Sequence, residues 1–343
     1  MEKKILVTGG AGYIGSHTVV ELIESGYEPI IIDNFVNAEP KVIDRLQQIV
    51  GREVKLYEGD CNDEGFMRSV FSTEKNITGA IHFAAYKAVG ESVEQPLKYY
   101  ENNIGSLLVL LKIMKEFNAR NFVFSSSCTV YGQPDNLPVT ESTPKKPAES
   151  PYGNTKQICE EIIEDFVRSE SSFRGIALRY FNPIGAHPSS LIGELPIGVP
   201  NNLVPFVTQT ASGIREHLTI FGDDYDTPDG TCIRDYIHVV DLAKAHVKAL
   251  DYIEGSNKDK QFELFNVGTG KGNTVLEVVK TFEHVSGESL NYKIGDRRSG
   301  DVEKVYANVD RSNQLLNWKA ELDLERSLID AWNWQKSLVE NAK

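Results

Sequence analysis

The short apolar run Ile5-Leu6-Val7 leads straight into Thr8-Gly9-Gly10-Ala11-Gly12-Tyr13-Ile14-Gly15, and a helical pattern follows over residues 14–25, closed by Gly26. Few folds accept that spelling. Gly9 suits a tight turn, Gly12 lets a pyrophosphate approach the backbone N–H groups of a helix N-terminus, and Gly15 lets that helix pack close to the strand. The unit then recurs in looser form. Apolar runs at 29–32, 54–57, 80–83, 122–124 and 176–180 alternate with helical stretches, notably 97–118 and 152–168. Such alternation predicts an α/β fold, a Rossmann-type doubly wound parallel sheet covered on both faces.

The pattern changes after Pro183. Residues 185–235 are rich in Gly, Pro and Asn and carry only short periodic stretches, which predicts a smaller, loop-rich mixed α/β domain that wraps a ligand. Helical periodicity returns at 239–253, 275–285 and 324–338. The expected division is a dinucleotide-binding domain over 1–183, to which 236–262 returns, and a substrate domain made of 184–235 and 263–343. The 343 residues suffice for two such units, and 41% hydrophobic content supplies a core.

A net charge of −13 gives no basic face, so no nucleic-acid partner is expected, and any phosphate site must be built locally from backbone amides and a few arginines. The cysteines Cys61, Cys128, Cys159 and Cys232 form no Cys-x-x-Cys pair and the histidines no His-x-x-x-His, so neither metal nor disulfide framework is expected. The N-terminal apolar run is too short for a signal segment or a span. The expectation is a cytoplasmic protein with no membrane partner.

Asp33 ends the second apolar run, where a carboxylate accepts hydrogen bonds from both ribose hydroxyls and repels a 2′-phosphate, favouring NAD over NADP. A simple turn or cap residue is the plainer alternative. Gly59-Asp60-Cys61 follows the third run, and Asp60 can hold an adenine amino group, although a Gly-Asp there is usually just a turn. After the fifth run comes Ser125-Ser126-Ser127-Cys128-Thr129-Val130-Tyr131-Gly132, and then Tyr152-Gly153-Asn154-Thr155-Lys156 at a helix start. Tyr152 and Lys156 share one helical face. A phenol is a poor base at pH 7, and a neighbouring ammonium stabilises its phenolate. Ser127 can hydrogen-bond the same substrate hydroxyl.

These motifs resemble the extended short-chain dehydrogenase/reductases and, within them, the UDP-glucose 4-epimerase family. The resemblance runs through Lys87-Ala88-Val89-Gly90-Glu91-Ser92, Tyr99-Tyr100-Glu101-Asn102-Asn103, Tyr180-Phe181-Asn182-Pro183, Pro200-Asn201-Asn202-Leu203, Ile220-Phe221-Gly222 and Arg234-Asp235-Tyr236-Ile237-His238. It implies a tightly held NAD that is reduced and reoxidised in each turnover, with Tyr152 taking the 4-hydroxyl proton, Lys156 binding the nicotinamide ribose, and Ser127 and Thr129 beside the sugar. It implies cofactor contacts from Gly9, Gly12, Tyr13, Ile14, Gly15, Asp33, Asn34, Asp60, Cys61, Phe83, Ala84, Ala85, Lys87, Asn102, Ser125 and Tyr180. Contacts to a UDP-hexose are implied for Lys87, Ser127, Tyr152, Phe181, Asn182, Asn202, Leu203, Thr219, Phe221, Arg234, Tyr236, Arg298, Asp301 and Val305, the arginines through charge-assisted bonds to the diphosphate. It also implies a homodimer paired through 97–118 and 152–168, whose apolar faces could equally be ordinary core.

Related 4,6-dehydratases carry an Asp-Glu acid–base pair after the active-site hydroxyl, and related decarboxylases a Glu. Here those positions are Cys128 and Thr129, which argues for a reaction needing only hydride movement and one hydroxyl proton. Cys128 reads as a small buried residue, and Thr129 either orients the sugar or packs. Val305 aligns where some epimerases place a bulky tyrosine, so N-acetylated UDP-hexoses are expected to enter unless a neighbour such as Tyr306 fills the gap. A UDP-uronate epimerase, one restricted to N-acetylated sugars, and a non-catalytic NAD-binding regulator are the competing readings. The regulator is disfavoured by the presence of Ser127, Tyr152 and Lys156 together.

Overall fold

The computed structural model describes residues 3–298 and 302–341. Strands β1 (Lys3–Thr8), β2 (Tyr27–Asp33), β3 (Lys55–Glu58), β4 (Ile77–His82), β5 (Asn121–Ser127) and β6 (Arg174–Tyr180) alternate with helices α1 (Tyr13–Glu24), α2 (Lys41–Val50), α3 (Glu64–Glu74), α4 (Val89–Glu94), α5 (Pro96–Glu116) and α6 (Pro151–Ser169). The strands form a parallel sheet in the order β3-β2-β1-β4-β5-β6, and a seventh strand, Gln261–Val267, pairs in parallel outside β6.

Alternating side chains divide between the two faces, as the pleat requires. Ile5, Val7, Ile31, Ile81, Val123 and Leu178 pack with α1 and the helix Val239–Glu254, whereas Leu6, Ile30, Ala80, Phe122, Phe124 and Ala177 pack with α3, α5 and α6. The near-continuous Val/Ile/Leu runs follow from burial on both faces. The seventh strand takes the chain beyond the domain boundary expected at 262/263, because its ladder with β6 continues to Val267.

The stretch 185–235 is largely irregular, as its composition suggested, but holds the helix Leu203–Ala211 and the strand Leu218–Phe221. That strand pairs in parallel with Tyr292–Gly295. With the helices Val275–Ser286 and Leu324–Asn341 it encloses a separate apolar core of Val204, Leu218, Ile220, Val278, Phe282 and Leu328. No described helix is long and apolar enough to cross a membrane.

His17, His82 and His246 are buried about the central sheet. The Nδ1 of His17 bonds Tyr13 O at 2.7 Å and that of His246 bonds Leu242 O at 2.9 Å. Their Nε2 atoms have no partner. The Nδ1 of His82 bonds Thr8 Oγ1 at 2.7 Å. Burial holds His17 and His82 at about 3 and His246 at about 4. These folded values lie below that of the unfolded chain, about 6.5, so the unfolded state binds more protons in the interval between them. Stability is therefore expected to fall as pH drops from about 6.5 toward 3. Urea midpoints measured from pH 8 to pH 4 check this, and His246→Leu should flatten the slope by about one proton.

Candidate functional site

The phosphate loop is held by contacts only glycine permits. Gly9 has φ +70° and donates to Ile32 O at 2.8 Å, and Gly12 N donates to Gly9 O at 3.1 Å. A Cβ on Gly9 would lie 2.8 Å from Ala84 N, and one on Gly15 only 2.1 Å from Gly9 O. Gly12 is the N-cap of α1 and brings no capping side chain, which leaves the helix end suited to an anion. Asp33 closes β2, where its Oδ2 accepts from Ala11 N at 3.0 Å and its Oδ1 from Phe35 N at 2.9 Å. Burial raises its pKa against these amides. A carboxylate has about four acceptor sites, so both oxygens keep capacity for a ribose diol.

The remaining expected cofactor residues surround this edge. Asp60 Oδ1 accepts from Asn62 N at 2.8 Å, and Asn62 Nδ2 also reaches Asn102 Oδ1 on α5 at 3.2 Å. Asn34 Oδ1 caps its own turn by accepting from Val36 N at 3.2 Å. Cys61 is buried, and its thiol is pushed up to about 12. Phe83, Ala84 and Ala85 follow β4, and the Phe83 ring centroid lies 4.7 Å from that of His246. In the first turn of α1, Ile14 is partly buried and Tyr13 donates to Gly185 O at 2.7 Å, across to the second lobe. Glycine contacts, open helix end and acidic Asp33 fit a dinucleotide with a free ribose diol.

The catalytic candidates meet at the carboxyl end of β5. Ser150 caps α6 by accepting from Gly153 N at 3.2 Å, and Pro151 takes the first helical position. Tyr152 and Lys156 then face β5 from one side of α6. Lys156 is 3% exposed, and its Nζ donates to Ser125 O at 2.7 Å and lies 5.9 Å from the Tyr152 ring centroid. Burial pulls this ammonium down to about 8. Burial, with Tyr180 beside it, pushes the Tyr152 phenol far above its ordinary value, whereas a hydrogen bond with Ser127 lowers it. Ser125 Oγ and Tyr180 OH are 2.5 Å apart. Beyond Ser127 a 3-10 turn, Cys128–Tyr131, carries Thr129, whose Oγ1 is buried without a hydrogen-bond partner.

The second lobe closes on the same edge. The strand Asn182–Ile184 pairs with Tyr236–His238, and Ile233–Arg234 lies between Asn273–Thr274 and Lys304–Val305. Asp235, between these strands and 0% exposed, accepts from Thr269 N (2.8 Å), Thr269 Oγ1 (2.7 Å), Gly270 N (3.1 Å) and Ala307 N (3.2 Å). Burial raises the Cys128 thiol to about 11, although Arg234 is near enough to lower it. Lys87 Nζ and Asn202 Nδ2 meet the same Glu194 oxygen, at 3.2 and 2.6 Å. Asn202 caps the helix that Leu203 opens. Thr219 and the exposed Phe221 lie on the strand Leu218–Phe221, with the Arg298 guanidinium 5.7 Å from the Phe221 ring centroid. Tyr236 is buried in the second core. Val305 packs with Phe181, Val130 and Cys128, whereas Tyr306 lies beside Gly272, where a Cβ would be 3.2 Å from its ring. Asp301 lies outside the described residues. Asp235 and Glu194 went unassigned in the sequence because their partners are distant along it. Among the described residues no group of three or more His, Cys, Asp or Glu could hold a metal ion.

A doubly wound sheet that presents serine, tyrosine and lysine together where β5 ends defines the extended short-chain dehydrogenase/reductase class. The family model described as GDP-mannose 4,6 dehydratase matches residues 6–330. A UDP-glucose 4-epimerase of Haemophilus influenzae is 50% identical over 333 residues, covering 97% of each chain. The chain belongs to the UDP-glucose 4-epimerase family of this class. The human UDP-glucose 4-epimerase is 48% identical over 98% of this chain and 97% of its own. A Bifidobacterium longum UDP-glucose 4-epimerase crystallised with NAD+ and UDP superimposes with a TM-score of 0.94, at 48% identity and 98% coverage of both chains.

Proposed function

We propose that the protein interconverts UDP-glucose and UDP-galactose through a transient 4-keto sugar, using a tightly held NAD. The observation that carries this reading is Tyr152 gathered with Ser127 and Lys156 next to a turn whose Cys128 and Thr129 offer no carboxylate. Bound NAD supplies the hydride acceptor and donor and a positive ring beside the phenol. Tyr152 Oη takes the proton of the sugar 4-hydroxyl and returns it when the alcohol is re-formed. Ser127 Oγ shares that hydroxyl and lowers the phenol, and the Lys156 ammonium favours its phenolate. With no acid–base pair at 128 and 129, the proton movements of water loss across C5 and C6 have no carrier. Gly12, Asp33 and the first turn of α1 hold the dinucleotide, and Arg234, Asn202 and Phe221 the nucleotide-sugar. Tyr152→Phe should lower kcat for UDP-galactose by about 10²–10⁴-fold while NAD stays bound. The assay uses purified protein with no NAD added and reads the sugars by NMR, and retained activity would reassign the base.

N-acetylated UDP-hexoses are a second substrate class. Val305 is supported in this role by its place beside Phe181 and Cys128, and Tyr306 is turned to Gly272 rather than filling the space. In the same assay UDP-N-acetylgalactosamine should be converted. Val305→Tyr should lower that conversion by more than about tenfold, since even one methylene in a pocket alters rates by about that much, while UDP-galactose turnover persists. No turnover of the N-acetylated sugar by the unaltered protein sinks this assignment.

The protein works as a homodimer. Leu97, Val93 and Val89, at the start of α5 and on α4, are 79%, 60% and 43% exposed, an apolar surface suited to a second copy. Light scattering should read twice the chain's 38.3 kDa, and Leu97→Asp should shift it toward one chain. A single-chain mass for the unaltered protein removes the dimer.

A further inference from the structure

Beneath the catalytic candidates lies a second polar cluster, with Glu160, Arg179 and Ser126 buried at its centre and the exposed Lys145 at its rim. Glu160 on α6 is 1% exposed and accepts from Arg179 Nε at 2.9 Å, Arg179 Nη2 at 2.7 Å and Ser126 Oγ at 2.6 Å. Lys145 Nζ lies 2.9 Å from its other oxygen. Ser126 and Arg179 are register partners on β5 and β6, directly below Ser127 and Tyr180. The cluster continues upward, because Arg179 Nη1 donates to Tyr131 OH at 3.0 Å, and Tyr131 donates to Asn266 Oδ1 at 2.6 Å. Tyr131 belongs to the turn that carries Thr129.

The spacing gives the cluster its meaning. Tyr152, Lys156 and Glu160 follow one another at four-residue steps and so lie along one face of α6. Each is tied to a different serine of the run Ser125-Ser126-Ser127. Lys156 donates to Ser125 O, Ser126 donates to Glu160, and the Ser127 hydroxyl lies close enough to Tyr152 to lower its phenol. A slip of α6 along β5 would break all three ties at once. The Lys156 tie is a single bond to a carbonyl. The Glu160 tie, multiple and charge-assisted with its carboxylate buried, is the kind that holds geometry most firmly.

We propose that Glu160 is a positioning residue, fixing the register of α6 on β5 through Ser126 and Arg179 and thereby aligning Tyr152 with Ser127. The inference rests on the proposed epimerase reading for its kinetic consequence but not for its geometry. Ser126→Ala tests it with the ion pair left in place. The expected result is a kcat lowered about tenfold, since misplacements of under an ångström have effects of that order, with KM and bound NAD unchanged. The acid limb of the kcat profile should move to higher pH, because Tyr152 loses part of the hydrogen bond that lowers it. The other groups about Tyr152 stay as they were: Lys156 on α6, Cys128 on the turn, Tyr180 on β6 and Tyr99 on α5, with Cys159, Glu160 and His82 near Lys156. Glu160→Asp should show the same shift more strongly. A crystal structure of Ser126→Ala should show the Ser127–Tyr152 separation lengthened. An unaltered separation, or a lower melting temperature with the wild-type pH profile, overturns the proposal. Should the unaltered protein hold NAD yet convert no UDP-galactose, the epimerase reading fails, and the crystallographic separation still decides the positioning role.

Discussion

Lys156 carries an ammonium into the interior, and Ser125 O receives it at 2.7 Å. An isolated buried charge is strongly unfavourable, so this bond depends on a carbonyl left unpaired and aimed toward α6. A parallel strand offers such a carbonyl where its ladder ends. The ladder of β5 with β4 ends at Phe124, one residue before Ser125, while that with β6 runs on to Ser127 beside Tyr180. Thr8 and His82 end β1 and β4 in register at the neighbouring positions, and the glycine loop departs from there. The sheet edge thus determines together where the phosphate loop turns, where the lysine is received and where the serine run stops.

The second lobe joins that edge both by apolar packing and through one buried carboxylate. Asp235 gathers three amides and a hydroxyl from segments 34 to 72 residues further along, and the strand pair 182–184 with 236–238 carries Asn182 and Tyr236. Tyr13 reaches Gly185 from the helix that would hold the dinucleotide.

Sequence periodicity disclosed the six strands through Tyr180 because they are covered on both faces and read as unbroken apolar runs. It missed Gln261–Val267, an edge strand whose Phe262, Glu263 and Leu264 are only partly covered. Two- and three-residue strands such as 233–234, 273–274 and 304–305 are too short to show a period, and Pro205 obscures the helix Leu203–Ala211. Ser127, Tyr152 and Lys156 were legible because helical spacing and strand ends carry them. Glu160 was not, since its purpose lies in Arg179 and Ser126, on two different strands.

The seventh strand has a consequence for how the chain becomes a protein. Ile5 and Val7 share one apolar core with Leu242, Ala245, Phe265, Val267 and Trp318. During synthesis from the N-terminus the first 183 residues leave the ribosome with one face of the sheet incompletely covered and β6 unpaired on its outer edge. An uncovered strand edge invites pairing with other chains. The nascent dinucleotide half must wait for more than eighty further residues before its last strand covers β6 and the apolar face over Ile5 and Val7 is filled, and until then it carries an adhesive edge and an adhesive face.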